Sequence, residues 1–295
     1  MVVTTGFFDG VHRGHRKVIE QLVRTAAELG DESRVVTFWP HPRSVLQNEA
    51  RDFRLLNSLP EKLEMLRSFG VDKVEVLEFT KQFSSLTALE YFEQYVKGMY
   101  GGRTVVFGYD NLVGCDCRNS ADVLAAAGKA GLQAIQVDEL PFGPDGKAIS
   151  STRIRKALEE GKVSDASAML GYDYSLHGVV VGGNKMGRTF GFPTANIQMY
   201  DPLKLIPGNG VYAVGVKTLG KEYRGMCNIG VRPTVGTGNQ RTIETNIFDF
   251  NEDIYGLDIK ISFIGKIRDE RPFPSLDALA AQLALDRDSC LKMMK

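Results

Sequence analysis

GFFDGVHRGH, residues 6–15, follows an apolar stretch at 2–5 and precedes a run of helical periodicity, so it marks the passage from a strand into a helix. It also holds two of the chain's four histidines, His12 and His15. At such a junction the first helical amides are unpaired and the helix dipole is positive, an arrangement suited to a phosphate. Gly10 and Gly14 let backbone approach, and the two imidazoles, on one face, can donate to phosphate oxygens as charge builds on a leaving group. Two ordinary surface histidines at a helix start would share this spacing, so the spacing alone leaves both readings open.

Outward from this junction, short apolar runs at 34–38, 73–77 and 104–107 read as strands, and 16–29 reads as a helix ending near Gly30. Ser58 with Glu61 and Thr87 with Glu90 form capping-box signatures, each opening a further helix. Strand–helix alternation predicts a doubly wound parallel sheet with ligands beyond the carboxyl ends of its strands. After Gly171 the texture changes to short strand-like runs at 178–181, 211–216, 223–229, 242–248 and 259–264, parted by Gly, Pro and Asn. The fold class expected is therefore α/β plus all-β, with a Greek-key-like β-barrel and a terminal helix after Ser275 that turns Leu276, Leu279, Leu283 and Leu291 to the barrel. The domains expected are 1–166 and 167–295.

With 295 residues, 43% hydrophobic and 24% charged, the composition is that of a soluble two-domain protein. Lys plus Arg and Asp plus Glu balance at 36 each, which argues against a nucleic-acid partner. No apolar run reaches membrane-spanning length and no signal core is present, so a cytoplasmic protein is expected. Four cysteines make no disulfide framework, and Cys115 and Cys117 lack the partners of a zinc site. They are read as reduced thiols without a chemical role.

Two further segments carry chemistry. In ISSTRIR, 149–155, hydroxyl residues precede an apparent helix at 152–160, with Arg153 and Arg155 in its first turn. Cations there oppose the helix dipole, a hint that Arg155 meets an anion; a plain cap with solvated arginines is the alternative. In GGNKMGRTFGFPTANI, 182–197, four glycines let a loop fold over phosphates while Lys185 and Arg188 offset charge. Thr194 and Asn196, two apart, would share a side if extended and offer hard oxygen ligands for Mg²⁺.

H-x-G-H after the first strand and I-S-S-T-x-x-R opening a late helix resemble the nucleotidylyltransferase superfamily, and GFFDGVHRGH resembles its FMN adenylyltransferase branch. GFPTAN resembles the hallmark of riboflavin kinases, continued by NGVYAV at 209–214, NIGVRPT at 228–234 and ETNIFDF at 244–250. Together the two halves resemble the bacterial bifunctional riboflavin kinase/FMN adenylyltransferases over nearly the whole chain. The resemblance implies ATP as co-substrate, Mg²⁺ as cofactor, and riboflavin, FMN and FAD as substrates and products. By it, Gly6, Phe7, Asp9 and Asp110 line a nucleotide pocket, and His12 and His15 contact phosphates. Ser151, Thr152 and Arg155 close over the triphosphate, and 38–42, with His41, form a flavin-side loop. In the second half Gly183, Lys185, Gly187, Thr194 and Asn196 hold the kinase nucleotide and metal, and Glu244 is the base that deprotonates the ribityl 5′-hydroxyl. Segment 108–118, GYDNLVGCDCR, departs from the family pattern: Asn111 and Val113 stand where aromatics are expected, and Arg118 is the one basic candidate. Ala148 likewise stands where a basic residue is common. A kinase with a weakened adenylyltransferase half, or a non-catalytic flavin-binding protein, are the alternatives left open.

Overall fold

The computed structural model describes residues 1–46, 53–183, 191–234 and 238–294, and divides into two compact units, Met1–Ser151 and Thr152–Lys295. In the first unit the elements are β1 (Val2–Thr5), α1 (Arg13–Leu29), β2 (Ser33–Trp39), α2 (Pro42–Leu46), α3 (Leu59–Ser68), β3 (Lys73–Glu78), α4 (Ala88–Tyr91), β4 (Thr104–Gly108), α5 (Ser120–Lys129) and β5 (Gln133–Val137). α4 runs on as a π-helix, Phe92–Met99.

The five strands form one parallel sheet in the order β3-β2-β1-β4-β5. β1 is central because both its faces are apolar: Val2 packs with Ile19, Leu22 and Val106 on one side, and Val3 with Phe92, Val105 and Val123 on the other. The chain order reverses between β1 and β4, so a crevice for ligands opens at their carboxyl ends. Both capping boxes form, with Ser58 and Thr87 each exchanging hydrogen bonds with the glutamate three residues on. Ser58→Ala removes one acceptor from the start of α3; stability should fall by about 1 kcal/mol, read as a lower urea midpoint for the first unit with the second unchanged.

The second unit begins within α6 (Ser151–Glu159), followed by α7 (Val163–Leu170), which ends on left-handed Gly171. Six strands then close an antiparallel barrel: β6 (Ser175–Val181), β7 (Ala195–Met199), β8 (Gly210–Thr218), β9 (Lys221–Thr234), β10 (Gly238–Ile247) and β11 (Asp258–Arg268), in the order β10-β7-β6-β11-β8-β9. Cross-strand register puts Tyr212, Cys227, Thr245 and Ala195 in one row that faces inward. Outside, α8 (Leu276–Met293) covers Ala213, Met226 and Phe248 with Cys290, Leu283 and Leu291. Leu276 does not join them: at 54% exposure it faces solvent, and the buried α8 positions are Asp286 and Cys290. The helix is fixed instead by a buried ion pair in which the Arg268 guanidinium grips the Asp286 carboxylate, Nε at 3.0 and 3.1 Å and an Nη at 2.8 Å. All four cysteines are free, and burial pushes the Cys227 and Cys290 thiols up to about 12, keeping them protonated.

Candidate functional site

Residues 6–12 leave the carboxyl end of β1 in a tight, buried loop. Gly10 takes a left-handed conformation, but so do Phe8 (φ 49°) and Val11 (φ 34°), which are not glycines. A β-branched residue at positive φ is strained, and such strain persists only where packing holds it, here with Phe8 and Val11 buried among the residues beneath α1. The loop delivers His12 to the N-cap of α1, where its Nδ1 accepts from the His15 amide at 3.3 Å. That bond leaves the proton of a neutral His12 ring on Nε2. The rings of His12 and His15 stack with centroids 3.6 Å apart, and Gly14 leaves room for the stack, since a Cβ there would lie 3.2 Å from the His12 ring.

Burial first, then the neighbouring His12 and Lys62, hold the His15 imidazole well below its usual value near 6.5. Its Nδ1 is buried without a hydrogen-bond partner among the described residues. A neutral ring next to a helix start can donate from this nitrogen to an anionic oxygen in the tautomer that carries its proton on Nδ1.

The other expected residues take several places. Asp9 is buried and serves the scaffold: its Oδ1 accepts from the Leu56 amide at 3.0 Å, and its carbonyl accepts from the Ser151 hydroxyl at 2.8 Å. Ser151 is thereby brought to the histidine loop, while Thr152 and Arg155 follow one and four residues later on α6. Asp110 is exposed, just past β4, with a carboxylate oxygen near Gly108.

Gly6 and Phe7 line a cavity of about 310 Å³ at the crevice between β1 and β4. Its walls are apolar and include Phe38, Phe79, Phe83 and Tyr91, with Phe7 and Phe38 rings 5.0 Å apart. The unusual 108–118 segment forms another wall. The Asn111 amide donates to the Thr5 carbonyl, Asp116 Oδ1 accepts from the Ala88 amide at 2.8 Å, and Leu112, Val113 and Cys115 reach the cavity. Aromatic surface is supplied to the same cavity by Phe7, Phe38, Phe79, Phe83 and Tyr91. His41 stands beside it, its ring 5.2 Å from Phe7 and 4.5 Å from Phe53.

Lys62 was not anticipated. It lies on α3, three residues after Leu59 and four before Leu66, so a lysine sits on the helix's buried stripe; that misplaced charge was the available signal. Burial lowers it to about 8, with Asp9 acting in the opposite direction.

In the second unit, Glu244 and Asn196 are register partners on β10 and β7, and Glu244 also opposes Asn228 on β9. All three share the outer face of the barrel with Met226 and Asn246, opposite the inward row of Thr245. The Asn246 amide donates to the Pro193 carbonyl at 2.7 Å, fixing the bend of GFPTAN. Gly183 faces Asn196 so closely that a Cβ would lie 2.0 Å from its amide nitrogen. Thr194, just before β7, lines a cavity of about 470 Å³ at the barrel mouth with Pro193, Ala195, Thr245 and Tyr255. Asn196 and Glu244 are not among that cavity's walls. Lys185, Gly187 and Arg188 lie outside the described residues.

Comparison with known proteins divides along the same chain. The FAD synthetase family model matches residues 1–153, and the riboflavin kinase model matches residues 170–294. Bifunctional riboflavin kinase/FMN adenylyltransferases are 36% identical in Bacillus subtilis, over 99% of this chain and 92% of that protein, and 38% identical in Listeria monocytogenes, over 97% and 90%. A solved structure from Streptococcus pneumoniae, described as a macrolide-efflux protein, superposes with a TM-score of 0.90 at 36% identity, over 97% of this chain and 92% of that one. Among the described residues here no helix is long and apolar enough to cross a membrane.

Proposed function

This chain belongs to the bifunctional riboflavin kinase/FMN adenylyltransferase family, and from that premise we propose how its residues divide the two reactions. It phosphorylates riboflavin to FMN with ATP and adenylylates FMN to FAD with release of pyrophosphate. The observation that carries the assignment is that each half of the chain matches its own family model, one for each reaction.

For adenylyl transfer, the FMN phosphate attacks the α-phosphorus of ATP in line and pyrophosphate departs, with no covalent enzyme intermediate. The protein's share is then positioning and charge stabilisation. His12 and His15 donate to the phosphates, Ser151 and, by its place in the sequence, the adjoining Thr152 and Arg155 extend the set, and Asp110 borders the nucleotide. The apolar cavity beside Gly6 and Phe7 takes the flavin ring; Asp9 contributes by tying the histidine loop to Leu56 and Ser151.

For phosphorylation, Glu244 accepts the proton of the ribityl 5′-hydroxyl as the γ-phosphoryl group moves. Thr194 and Asn196 would hold Mg²⁺ through a hydroxyl and an amide oxygen. Supporting this is the donor chemistry, and Gly183, whose missing Cβ is the space the Asn196 amide occupies. The ion would neutralise charge on the nucleotide phosphates. Gly183, with Lys185 and Gly187, completes the loop. Because Ser151, Thr152 and Arg155 are assigned to the first reaction, the functional boundary is proposed at 166/167, beyond the division into compact units.

The test supplies riboflavin, ATP and Mg²⁺ and quantifies FMN and FAD separately, with a parallel reaction started from FMN. Both products are expected. FMN without FAD, even at high enzyme, would select a kinase with a silent adenylyltransferase half; bound flavin without either product would reduce the chain to a flavin-binding protein.

A further inference from the structure

Lys62 belongs to neither loop read from the sequence, yet it is 6% exposed and sits where the two parts of the first site join. Its Nζ lies 3.1 Å from the Phe7 carbonyl, 3.0 Å from Thr37 Oγ1 and 3.2 Å from the Phe38 carbonyl. An ammonium has three N–H groups, and these acceptors use all three, so none remains for a substrate oxygen. The side chain must act through what it holds. Phe7 and Phe38 are both walls of the apolar cavity. Phe7 also opens the strained loop that ends at His12, and the Thr37 hydroxyl, while accepting from Lys62, lies 3.3 Å from the Phe7 carbonyl to which it donates. A buried charge held mainly by neutral acceptors is a poor device for stability alone, where an apolar side chain of similar size would serve. What the ammonium supplies is direction: it ties the carboxyl end of β2 to the first residues after β1.

We propose that Lys62 is a positioning residue for adenylyl transfer, its ammonium holding the backbone at Phe7 and Phe38 so that the apolar cavity and the histidine loop keep one relative geometry. The inference rests on the adenylyltransferase reading of this site. Displacements of an ångström or less at a site that works by alignment are enough to change rates tenfold or more.

The experiment measures FAD formation in the full chain, varying FMN and ATP separately, for K62M, K62R and T37V, with riboflavin phosphorylation as the internal control. For K62M, kcat should fall about tenfold and KM for FMN rise about tenfold, with phosphorylation unchanged. T37V keeps the charge and withdraws one acceptor, and should move the same constants about threefold in the same directions. K62R keeps the charge but replaces the three-way fan with a planar fork, and should recover less than half of the parental kcat. A purely structural role would lower the melting midpoint and leave both constants at parental values well below it, which overturns the proposal. Should K62M not fold, K62R and T37V decide: parental kcat and KM for FMN in both overturn it. Absence of FAD from the unaltered chain is a different result, and removes the adenylyltransferase reading beneath it.

Discussion

Glu244→Gln should lower the turnover of riboflavin phosphorylation by about 10² or more while leaving riboflavin and nucleotide affinities within about twofold. The substitution keeps side-chain length and a hydrogen-bonding oxygen and removes the basic site alone. Glu244 sits between Asn196 and Asn228 across three paired strands, so its backbone position is fixed on both sides and glutamine inherits the same placement. Its neighbours along β10, Ile243 and Thr245, are buried on the opposite face, which leaves a one-residue slip no apolar register to fall into. A loss of turnover is therefore attributable to the missing base and not to a misfolded strand. FAD formation from supplied FMN should stay at the parental rate, because that chemistry is assigned to the other unit. Saturating assays of ADP release, paired with flavin fluorescence titrations, give both quantities; parental turnover would strip Glu244 of the base role.

The parts of this protein that were legible in its sequence are those where one local rule decides the outcome. The strand at Val2–Thr5, the left-handed stop at Gly30 and both capping boxes follow from apolar runs, a glycine and an S/T-x-x-E signature. β5 and β7 go unpredicted for different reasons: QAIQV lacks a clean alternation, whereas ANIQM alternates but is only five residues long and continues the glycine-rich stretch 182–197, which reads as a phosphate loop. β5 lies at the sheet edge with its side chains only partly covered, and β7 gives one side of its ladder to polar residues of the site. Lys62 was hidden by its type, since lysine reads as surface until tertiary packing supplies its carbonyls. The left-handed turns at Phe8 and Val11 could not be read at all: no local preference favours them, and only the packing around them holds them there. Leu276 shows the converse error, an apolar residue at helical spacing that lies before the helix reaches the barrel.

His15→Ala should reduce FAD formation by about 10²–10³, the range for removing one donor from a site where charge develops, and leave phosphorylation of riboflavin untouched. His15 is the better of the two histidines to remove. His12 Nδ1 also caps α1, so its loss would mix catalysis with the start of a helix, whereas the bond to that cap comes from the His15 backbone and survives the substitution. The same variant has a signature in pH. Because burial, His12 and Lys62 lower the His15 value, the folded ring stays neutral at pH 7 and the unfolded ring takes up a proton first as pH falls. Its contribution to stability is complete above about 6.5 and is lost as pH drops from there toward the lowered folded value. The melting midpoint of the first unit should accordingly fall less between pH 7 and 5 in His15→Ala than in the parent. Equal slopes would mean that the His15 value is not lowered in the folded protein. A paired drop in both reaction rates would mean that the two activities do not occupy separate sites.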